Sequence, residues 1–361
     1  IGSTQSGLPY IISLAFYAIF MLLTGRYLNT RSPRVIITIG GLLVGIGWLL
    51  SGFAQNIFIL TITYGMITGA GVGIVYGIPL AVVANWYSEK KGMMVGLVLI
   101  GFGLSPFLTA PFARYLIEIF GVMSAFKILG LIFGLIIVLA SYPFMYPSET
   151  ESPVLSKINK NTIDVSTSEM VSTGNFKGLY INFLIGTTIG LMLIGMTSNV
   201  GIEMIKLPEK TVTLLMSIFA IFNGVGRPIF GWLTDKLTHK KAMLISFGLI
   251  TVGAILMILA KDGNIVLYSI AFSIFWFNVG GWLAIAPTTT IAMFGSKYYS
   301  QNYGVVFTAY GIGAIFGVVS GVIKDSLQNY HSVFYFVLAL CIIGIISSLI
   351  MLKNCEKEWQ R

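Results

Sequence analysis

The stretch that decides the fold is residues 35–88, which read VIITIGGLLVGIGWLLSGFAQNIFILTITYGMITGAGVGIVYGIPLAVVANWYS. No Asp, Glu, Lys or Arg occurs between Arg34 and Glu89. A helix that spans a membrane needs about 20 apolar residues, so this stretch is too long for one helix and fits two joined by a neutral turn. Backbone polar groups in lipid must be bonded within their own segment, which favours helices over irregular structure.

Similar charge-free runs recur between Lys177 and Glu203, between Asp262 and Lys297, and between Lys297 and Lys324. The chain of 361 residues is 56% hydrophobic and 10% charged, with a mean hydropathy of +0.88. Since an average soluble domain carries about 25% charged residues, this composition excludes a soluble globular enzyme and intrinsic disorder. The sequence therefore predicts an all-α membrane protein with several spans.

Apolar runs and the residues that interrupt them predict eleven helices, at 8–28, 35–54, 57–85, 92–118, 123–146, 179–202, 210–230, 241–260, 264–293, 299–323 and 332–352. The polar stretch 147–177 separates five of these helices from six and is typical of a flexible linker. We therefore predict an N-terminal helical bundle at 1–146, a cytoplasmic linker at 147–177, and a C-terminal helical bundle with a tail at 178–361.

An internal repeat relates the two halves. The segment 25–34 matches residues 231–240 at an offset of 206 positions, and Pro79 matches Pro287 two positions further on. Since duplicated halves should contain equal numbers of helices, we expect one further helix to precede Ile1.

Glycines recur every four residues in one predicted helix, at Gly65, Gly69, Gly73 and Gly77. This spacing predicts close packing against a neighbouring helix.

The net charge of +9 does not form one basic patch, so we expect no nucleic-acid partner. Fifteen Lys and Arg residues fall on the side of the linker and tail and five on the opposite side, which predicts a cytoplasmic linker and C-terminus in a plasma membrane.

The sequence contains no catalytic set, metal-ligand spacing or phosphate-binding loop, so we expect neither an enzyme nor a cofactor or metal. We expect the protein to be a monomer in the lipid bilayer.

Two loops carry a family resemblance. Residues 231–236, Gly-Trp-Leu-Thr-Asp-Lys, resemble the loop signature of the major facilitator superfamily, and residues 25–34 resemble its other copy, with Asn29 where an Asp is usual. The resemblance implies two pseudo-symmetric six-helix bundles around a central cavity that work by alternating access, with the first helix absent and eleven visible. A transport site near the midplane, at the interface of the repeats, is also what such a duplication favours physically.

Further segments resemble the oxalate/formate antiporter family, which is related to the monocarboxylate transporters. These are Gly71-x-Gly73-x-x-Tyr76-x-x-Pro79, Trp86 to Gly92, Gly101-Phe102-Gly103, Phe222-Asn223-Gly224-Val225-Gly226-Arg227-Pro228, and Asn302-Tyr303-Gly304. In the resembled families an arginine at the position of Arg227 binds the substrate carboxylate.

Arg227 also stands out without the resemblance. It lies eight residues before Asp235, about 12 Å along a helix, which is near the middle of a hydrocarbon core about 30 Å thick. A charge there costs at least ~2.5–3.5 kcal/mol, so it must face a polar interior or a partner. The alternative is a structural arginine that snorkels to the interface or binds Asp235.

The positions of the acids favour an anionic substrate. All thirteen Asp and Glu residues fall in loops, the linker, the tail or helix ends, and both histidines fall in loops. Asn223 stands where monocarboxylate transporters place an Asp, so anion exchange or electrogenic anion movement is favoured over proton symport. Tyr310 stands where oxalate exchangers place a lysine, which favours a monocarboxylate such as formate, lactate or pyruvate over oxalate.

The sequence therefore predicts a secondary transporter of a small carboxylate. The candidate substrate-binding residues are Arg227, Asn223, Tyr76, Trp276, Phe277, Trp282 and Tyr310, and the candidate gating residues are Gly25, Asn29, Arg34, Gly231 and Asp235. The aromatic residues have ordinary helix packing as their alternative. Asp235 either caps a neighbouring helix N-terminus or pairs with a cytoplasmic Arg or Lys. A carrier for a neutral solute, and a proton symporter that uses a group in the preceding helix, remain open.

Overall fold

The computed structural model describes residues 3–27, 31–87, 90–146, 164–317 and 330–352, and the regular structure in these ranges is helical. In chain order the helices are α1 (Ser3–Gly25), α2 (Pro33–Ser51), α3 (Ile57–Trp86), α4 (Lys91–Phe120), α5 (Val122–Ala140), α6 (Thr167–Ser172), α7 (Gly174–Met204), α8 (Glu209–Lys236), α9 (His239–Leu259), α10 (Ile265–Phe294), α11 (Tyr299–Gly317) and α12 (His331–Met351). Helix α3 is π-helical over Thr61–Thr68, and α7 over Val200–Met204.

The predicted all-α architecture is confirmed. Eleven of the described helices have 19 or more residues, and they match the eleven predicted ones in order. Ten of them are long and apolar enough to cross a membrane, while α11, which has 19 residues, falls outside that set.

Two predicted boundaries are wrong at the C-terminal ends of helices. The helix predicted at 123–146 ends at Ala140, because Pro143 has no backbone N–H and disfavours helical geometry at Tyr142 before it. The helix predicted at 210–230 continues through Gly231 to Lys236. There the Thr234 hydroxyl donates to the Phe230 carbonyl at 2.7 Å, within the same helix.

The C-terminal part of the stretch predicted as a linker at 147–177 is helical. Residues 147–163 lie outside the described ranges, but α6 and the first turn of α7 fall inside the predicted linker. Thr173 separates the two helices, and its side chain accepts a hydrogen bond from the Phe176 amide at 3.1 Å. This N-cap satisfies an amide that the helix itself leaves unbonded, so α7 starts about a turn earlier than apolarity alone predicts.

The chain divides into two compact units. The first contains Ile1–Ser88, Leu108–Thr167 and Phe294–Gly311, and the second contains Glu89–Phe107, Ser168–Met293 and Ile312–Arg361. These units draw on both sequence halves. The division into bundles at 1–146 and 178–361 therefore stays a prediction.

In the first unit, glycines bring helices into close contact. The predicted glycine stripe of α3 faces α1, since a Cβ at Gly69 would lie 2.5 Å from the Ser13 carbonyl oxygen and one at Gly65 3.0 Å from an Ile12 methyl group. On α2, a Cβ at Gly45 would lie 2.9 Å from the Cα of Gly134 on α5. These contacts are the close approach that small residues permit between membrane helices.

In the second unit, buried polar side chains link helices directly. Asn182 of α7 donates to Ser347 Oγ at 3.2 Å and accepts from Ser348 Oγ at 2.9 Å, both on α12. Ser246 of α9 donates to Asn278 Oδ1 of α10 at 2.8 Å. Hydrogen bonds of this kind hold helices together where lipid offers no competing partner.

The contact between Gly186 and Trp282 gives a packing test. Trp282 is fully buried, and a Cβ at Gly186 would overlap its indole ring, which also packs on Phe247 with 5.1 Å between centroids. We expect Gly186→Ala to lower the free energy of unfolding by about 1–3 kcal/mol, because the ring has no room to move. The measurement is the melting temperature of the purified protein in detergent.

The matched control is Gly195→Ala in the same helix, where an added Cβ meets nothing within 4 Å. This variant should melt at or slightly above the wild-type temperature, because alanine favours a helix over glycine. Equal melting temperatures for the two variants would contradict the packing described for Trp282.

Candidate functional site

The side chain of Arg227 lies on the buried face of α8. It is 1% exposed, nine residues from the C-terminal end of the helix, or about 13 Å along its axis. The outer face of the same helix carries exposed apolar side chains, among them Ile221, Val225, Ile229 and Trp232. The guanidinium therefore points into the protein, as the sequence predicted for a functional arginine.

A side chain of α8 and a ring of α4 both contact the guanidinium. Its Nη2 donates a hydrogen bond to Asn223 Oδ1 at 3.0 Å, one helical turn earlier. Its Cζ lies 4.9 Å from the centroid of the Phe102 ring on α4. Asn223 is itself buried, at 7% exposure. This hydrogen bond supports the expectation that Asn223 orients Arg227. It adds no negative charge.

Glycines bring α4 and α8 together around Arg227. A Cβ at Gly103 would lie 2.9 Å from Arg227 Nε and 2.6 Å from the Cα of Gly224. About two turns earlier on α4, a Cβ at Gly96 would lie 2.5 Å from the Arg227 carbonyl oxygen. Any larger residue at these positions would push α4 and α8 apart, so the position of Arg227 depends on them.

The charged side chains are distributed as the sequence predicted. Each acid in the described residues lies outside the helices or within three residues of a helix end: Glu118, Asp164, Glu169, Glu203, Glu209, Asp235 and Asp262. The other Lys and Arg residues of the described ranges lie in loops or within six residues of a helix end. Arg227 is thus the basic residue placed deepest in a helix of the described part.

The three candidate aromatic residues on α10 all lie in the second unit. Trp276 is half-buried, and its indole N–H donates to Thr197 Oγ1 of α7 at 3.1 Å. Phe277 packs on Phe230 of α8, with 5.2 Å between centroids. Trp282 packs between α7 and α9. These contacts link α10 to three helices, and a role in substrate binding stays a prediction for all three residues.

Tyr76 and Tyr310 come together in the first unit. Both contact Tyr17 of α1, which lies edge-on to Tyr76 at 5.2 Å and to Tyr310 at 6.3 Å between centroids. Phe307 completes the group, 4.8 Å from Tyr17. Tyr17 was not among the candidate site residues, although the 206-residue offset that relates the halves places it opposite Asn223. That offset was the signal that could have identified it.

Asp235 caps the N-terminus of α4. Its two carboxylate oxygens accept the backbone amides of Gly92 and Met93, each at 2.9 Å. Of the two predicted roles for Asp235, the structure shows the helix cap. Carboxylates are favoured there because the first amides of a helix are unbonded and carry partial positive charge.

Three other candidate gating residues make close contacts near helix ends. A Cβ at Gly231 would overlap the Gly92 backbone, and one at Gly25 would lie 2.5 Å from the Ser300 carbonyl oxygen. Arg34 lies over the ring of Tyr142, with Cζ 4.9 Å from its centroid. Asn29, the counterpart of Asp235, lies outside the described residues. A gating role stays a prediction for all of these residues.

Comparison with known proteins adds to this geometry. A model of the Major Facilitator Superfamily matches residues 1–318 and 181–358 of the chain. The chain is 30% identical to the oxalate:formate antiporter of Oxalobacter formigenes over 294 residues, which cover 81% of this chain and 69% of the antiporter. It is 27% identical to monocarboxylate transporter 12 of Xenopus laevis over 340 residues, covering 86% and 72% of the two chains.

The fold has a solved counterpart. The fucose:proton symporter FucP of E. coli superposes with a TM-score of 0.72, covering 98% of this chain and 92% of the symporter, at 13% identity. At that identity the match shows the fold alone. The major facilitator fold predicted from the two loop motifs is confirmed, as is the resemblance to an oxalate:formate antiporter and to monocarboxylate transporters.

The Asp235 cap yields a prediction. Asp235→Ala should speed hydrogen exchange at the amides of Gly92 and Met93 and destabilise the protein by about 1 kcal/mol, because both amides lose their acceptor. Asp235→Asn keeps one acceptor oxygen and should fall between alanine and wild type. Hydrogen exchange followed by mass spectrometry and the melting temperature are the measurements.

Asp262→Asn is the matched control, since Asp262 makes an exposed ion pair with Lys206 and lies in a loop. An exposed pair contributes little to stability, so this variant should resemble wild type. Wild-type exchange at Gly92 and Met93 in Asp235→Ala would show that the cap does not hold the N-terminus of α4.

Proposed function

We propose that this chain, which belongs to the Major Facilitator Superfamily, is a membrane transporter whose substrate is a small carboxylate bound by Arg227. The observation that carries the proposal is the position of the Arg227 guanidinium. Arg227 is 1% exposed, lies on the inward face of α8 far from the helix ends, and is hydrogen-bonded to the neutral side chain of Asn223. A planar guanidinium presents paired N–H donors that match the two oxygens of a carboxylate.

The electrostatics favour an anion as the transported species. A charge at the centre of a membrane helix is costly, and Asn223 bonds to the guanidinium without neutralising it. The described acids lie outside the helices or within three residues of a helix end, so a carboxylate bound beside the middle of α8 would supply negative charge near Arg227. A cationic or neutral substrate would supply no negative charge there. This argument is independent of the relatives.

The relatives point in the same direction. The oxalate:formate antiporter of Oxalobacter formigenes and monocarboxylate transporter 12 are named for carboxylates. Within that class we propose a monocarboxylate such as formate, lactate or pyruvate. One deep cation neutralises one carboxylate, whereas oxalate would leave a net negative charge. Tyr310, at the position where the resembled oxalate exchangers have a lysine, adds no second cation.

We propose anion exchange as the mode of transport. Proton coupling usually needs a titratable group inside the membrane, and the residue bonded to Arg227 is Asn223, which does not titrate. Efflux of one carboxylate on the returning half of an alternating-access cycle balances the charge carried inward. The Asp235 cap on α4 serves as a latch in this cycle, released when α4 and α8 move apart.

The membrane and its orientation follow from the positive-inside rule. With fifteen Lys and Arg residues on one side and five on the other, we propose a multi-pass plasma-membrane protein with the linker and C-terminus in the cytoplasm. A monomer suffices for this mechanism.

The central test replaces Arg227. In proteoliposomes, Arg227→Ala should abolish uptake of labelled monocarboxylate, because the ligand for the carboxylate is gone. Arg227→Lys should lose about 10- to 100-fold in uptake efficiency, because a lysine keeps the charge but not the paired donors. Initial rates over a range of concentrations, together with melting temperatures, are the measurements.

Arg114→Ala is the matched control, since Arg114 is 77% exposed and paired with Glu118. It should transport like wild type. Uptake by Arg227→Ala at the control rate would remove Arg227 from the mechanism. Competition by sugars or nucleosides in place of carboxylates would favour the carrier for a neutral solute.

Asn223→Asp tests the neutral partner. The new carboxylate would lie about 3 Å from the guanidinium, form an ion pair with it at neutral pH, and compete with the substrate. We expect KM to rise by about tenfold or more at neutral pH and to recover as the pH falls and the aspartate takes up a proton. The measurement is KM for uptake as a function of pH.

Wild type should show a flat KM over the same pH range, because Asn223 has no proton to exchange. A wild-type KM that falls with acidification as steeply as that of Asn223→Asp would favour the proton symporter. An unchanged KM in the variant at neutral pH would contradict a substrate site at Arg227.

A further inference from the structure

We propose that Phe102 is a positioning residue for Arg227, and that its aromatic ring sets the affinity for the anion. The inference rests on the proposed function of Arg227. The evidence is the placement of the ring on α4, with its centroid 4.9 Å from the Arg227 Cζ on α8. This distance is within the roughly 6 Å over which a ring face attracts a cation.

The arrangement fits a cation that must stay charged and oriented. The face of an aromatic ring carries partial negative charge, so it stabilises the guanidinium without adding an ionic partner that would compete with a substrate. The Arg227 Cζ lies over the face of the Phe102 ring, which offers the guanidinium a π surface and no hydrogen-bond acceptor. A carboxylate binds through hydrogen bonds in the guanidinium plane. Phe102 and a bound carboxylate therefore make different kinds of contact with the same group.

The next residue, Gly103, makes the contact possible. A Cβ there would lie 2.9 Å from Arg227 Nε, so the absence of a side chain at 103 lets α4 approach the guanidinium closely enough for the ring at 102 to reach it. Asn223 holds the guanidinium from its own helix through Nη2. The side chain is thus fixed by a hydrogen bond from α8 and a ring from α4.

Phe102 is also separable from the packed core. The residue is 46% exposed, unlike the fully buried rings of Phe219 or Phe230. Removal of its ring should therefore leave the fold intact, which distinguishes a positioning role from a structural one.

The test is the kinetics of monocarboxylate exchange by Phe102→Leu, Phe102→Tyr and Phe102→Trp in proteoliposomes. We expect Phe102→Leu to raise KM by about 3- to 20-fold with kcat within about twofold of wild type, since the cation–π contact is lost while the site remains. The tyrosine and tryptophan variants should keep KM near wild type. Phe107→Leu, 54% exposed on the same helix, is the matched control and should change neither constant.

A wild-type KM in Phe102→Leu, or an equal rise in the leucine and tryptophan variants, would overturn the inference. A drop in kcat and melting temperature in Phe102→Leu without a change in KM would assign the residue a structural role and also overturn it. Arg227→Ala, measured alongside, separates this failure from failure of the proposed function. If uptake persists without Arg227, the carboxylate site is wrong, whereas if uptake requires Arg227 and ignores Phe102, only the positioning role is wrong.

Discussion

The rest of the structure depends on one constraint, which is the burial of the Arg227 guanidinium on the inward face of α8. A charge in the interior of a membrane helix is tolerated only where polar groups or a partner offset its desolvation. Arg227 meets this requirement with an amide oxygen from Asn223 and a ring from Phe102, both of which leave its net charge in place. Neither contact supplies a negative charge, and the proposed carboxylate substrate would do so.

The close contact of α4 with α8 joins this charge to the proposed latch. Along that contact lie the Asp235 cap at the N-terminus of α4, the approach of Gly96 to the Arg227 carbonyl, and the approach of Gly103 to the guanidinium. Because glycine backbones meet directly, the two helices have little freedom to slide without losing several interactions together. A movement that releases the cap would therefore also change the surroundings of Arg227, which is the coupling that an alternating-access carrier needs.

Much of the fold could be predicted from the sequence, because the membrane restricts the alternatives to apolar helices of known length. The order of the eleven long helices and the inward position of Arg227 follow from charge and hydropathy. The ends of the helices were harder to predict. Pro143 stops α5 and Thr173 starts α7 through local backbone chemistry that an apolar run does not reveal.

The surroundings of the site were only partly predictable. The bond from Arg227 to Asn223 follows from helical spacing, since the two residues are four apart. The contact with Phe102 joins residues 125 positions apart in the sequence, so it depends on how α4 packs, and the motif Gly101-Phe102-Gly103 gave no sign of it. Tyr17 was likewise not predicted, because its contacts with rings on α3 and α11 depend on helix packing, although the repeat offset pairs it with Asn223.

The most direct measurement of the central claim is an experimental structure of the protein in lipid with bound lactate or pyruvate. The account predicts carboxylate oxygens within about 3 Å of the Arg227 guanidinium nitrogens, with Asn223 still bonded to the same side chain. A carboxylate bound elsewhere, with Arg227 paired to an acid of the protein, would contradict it.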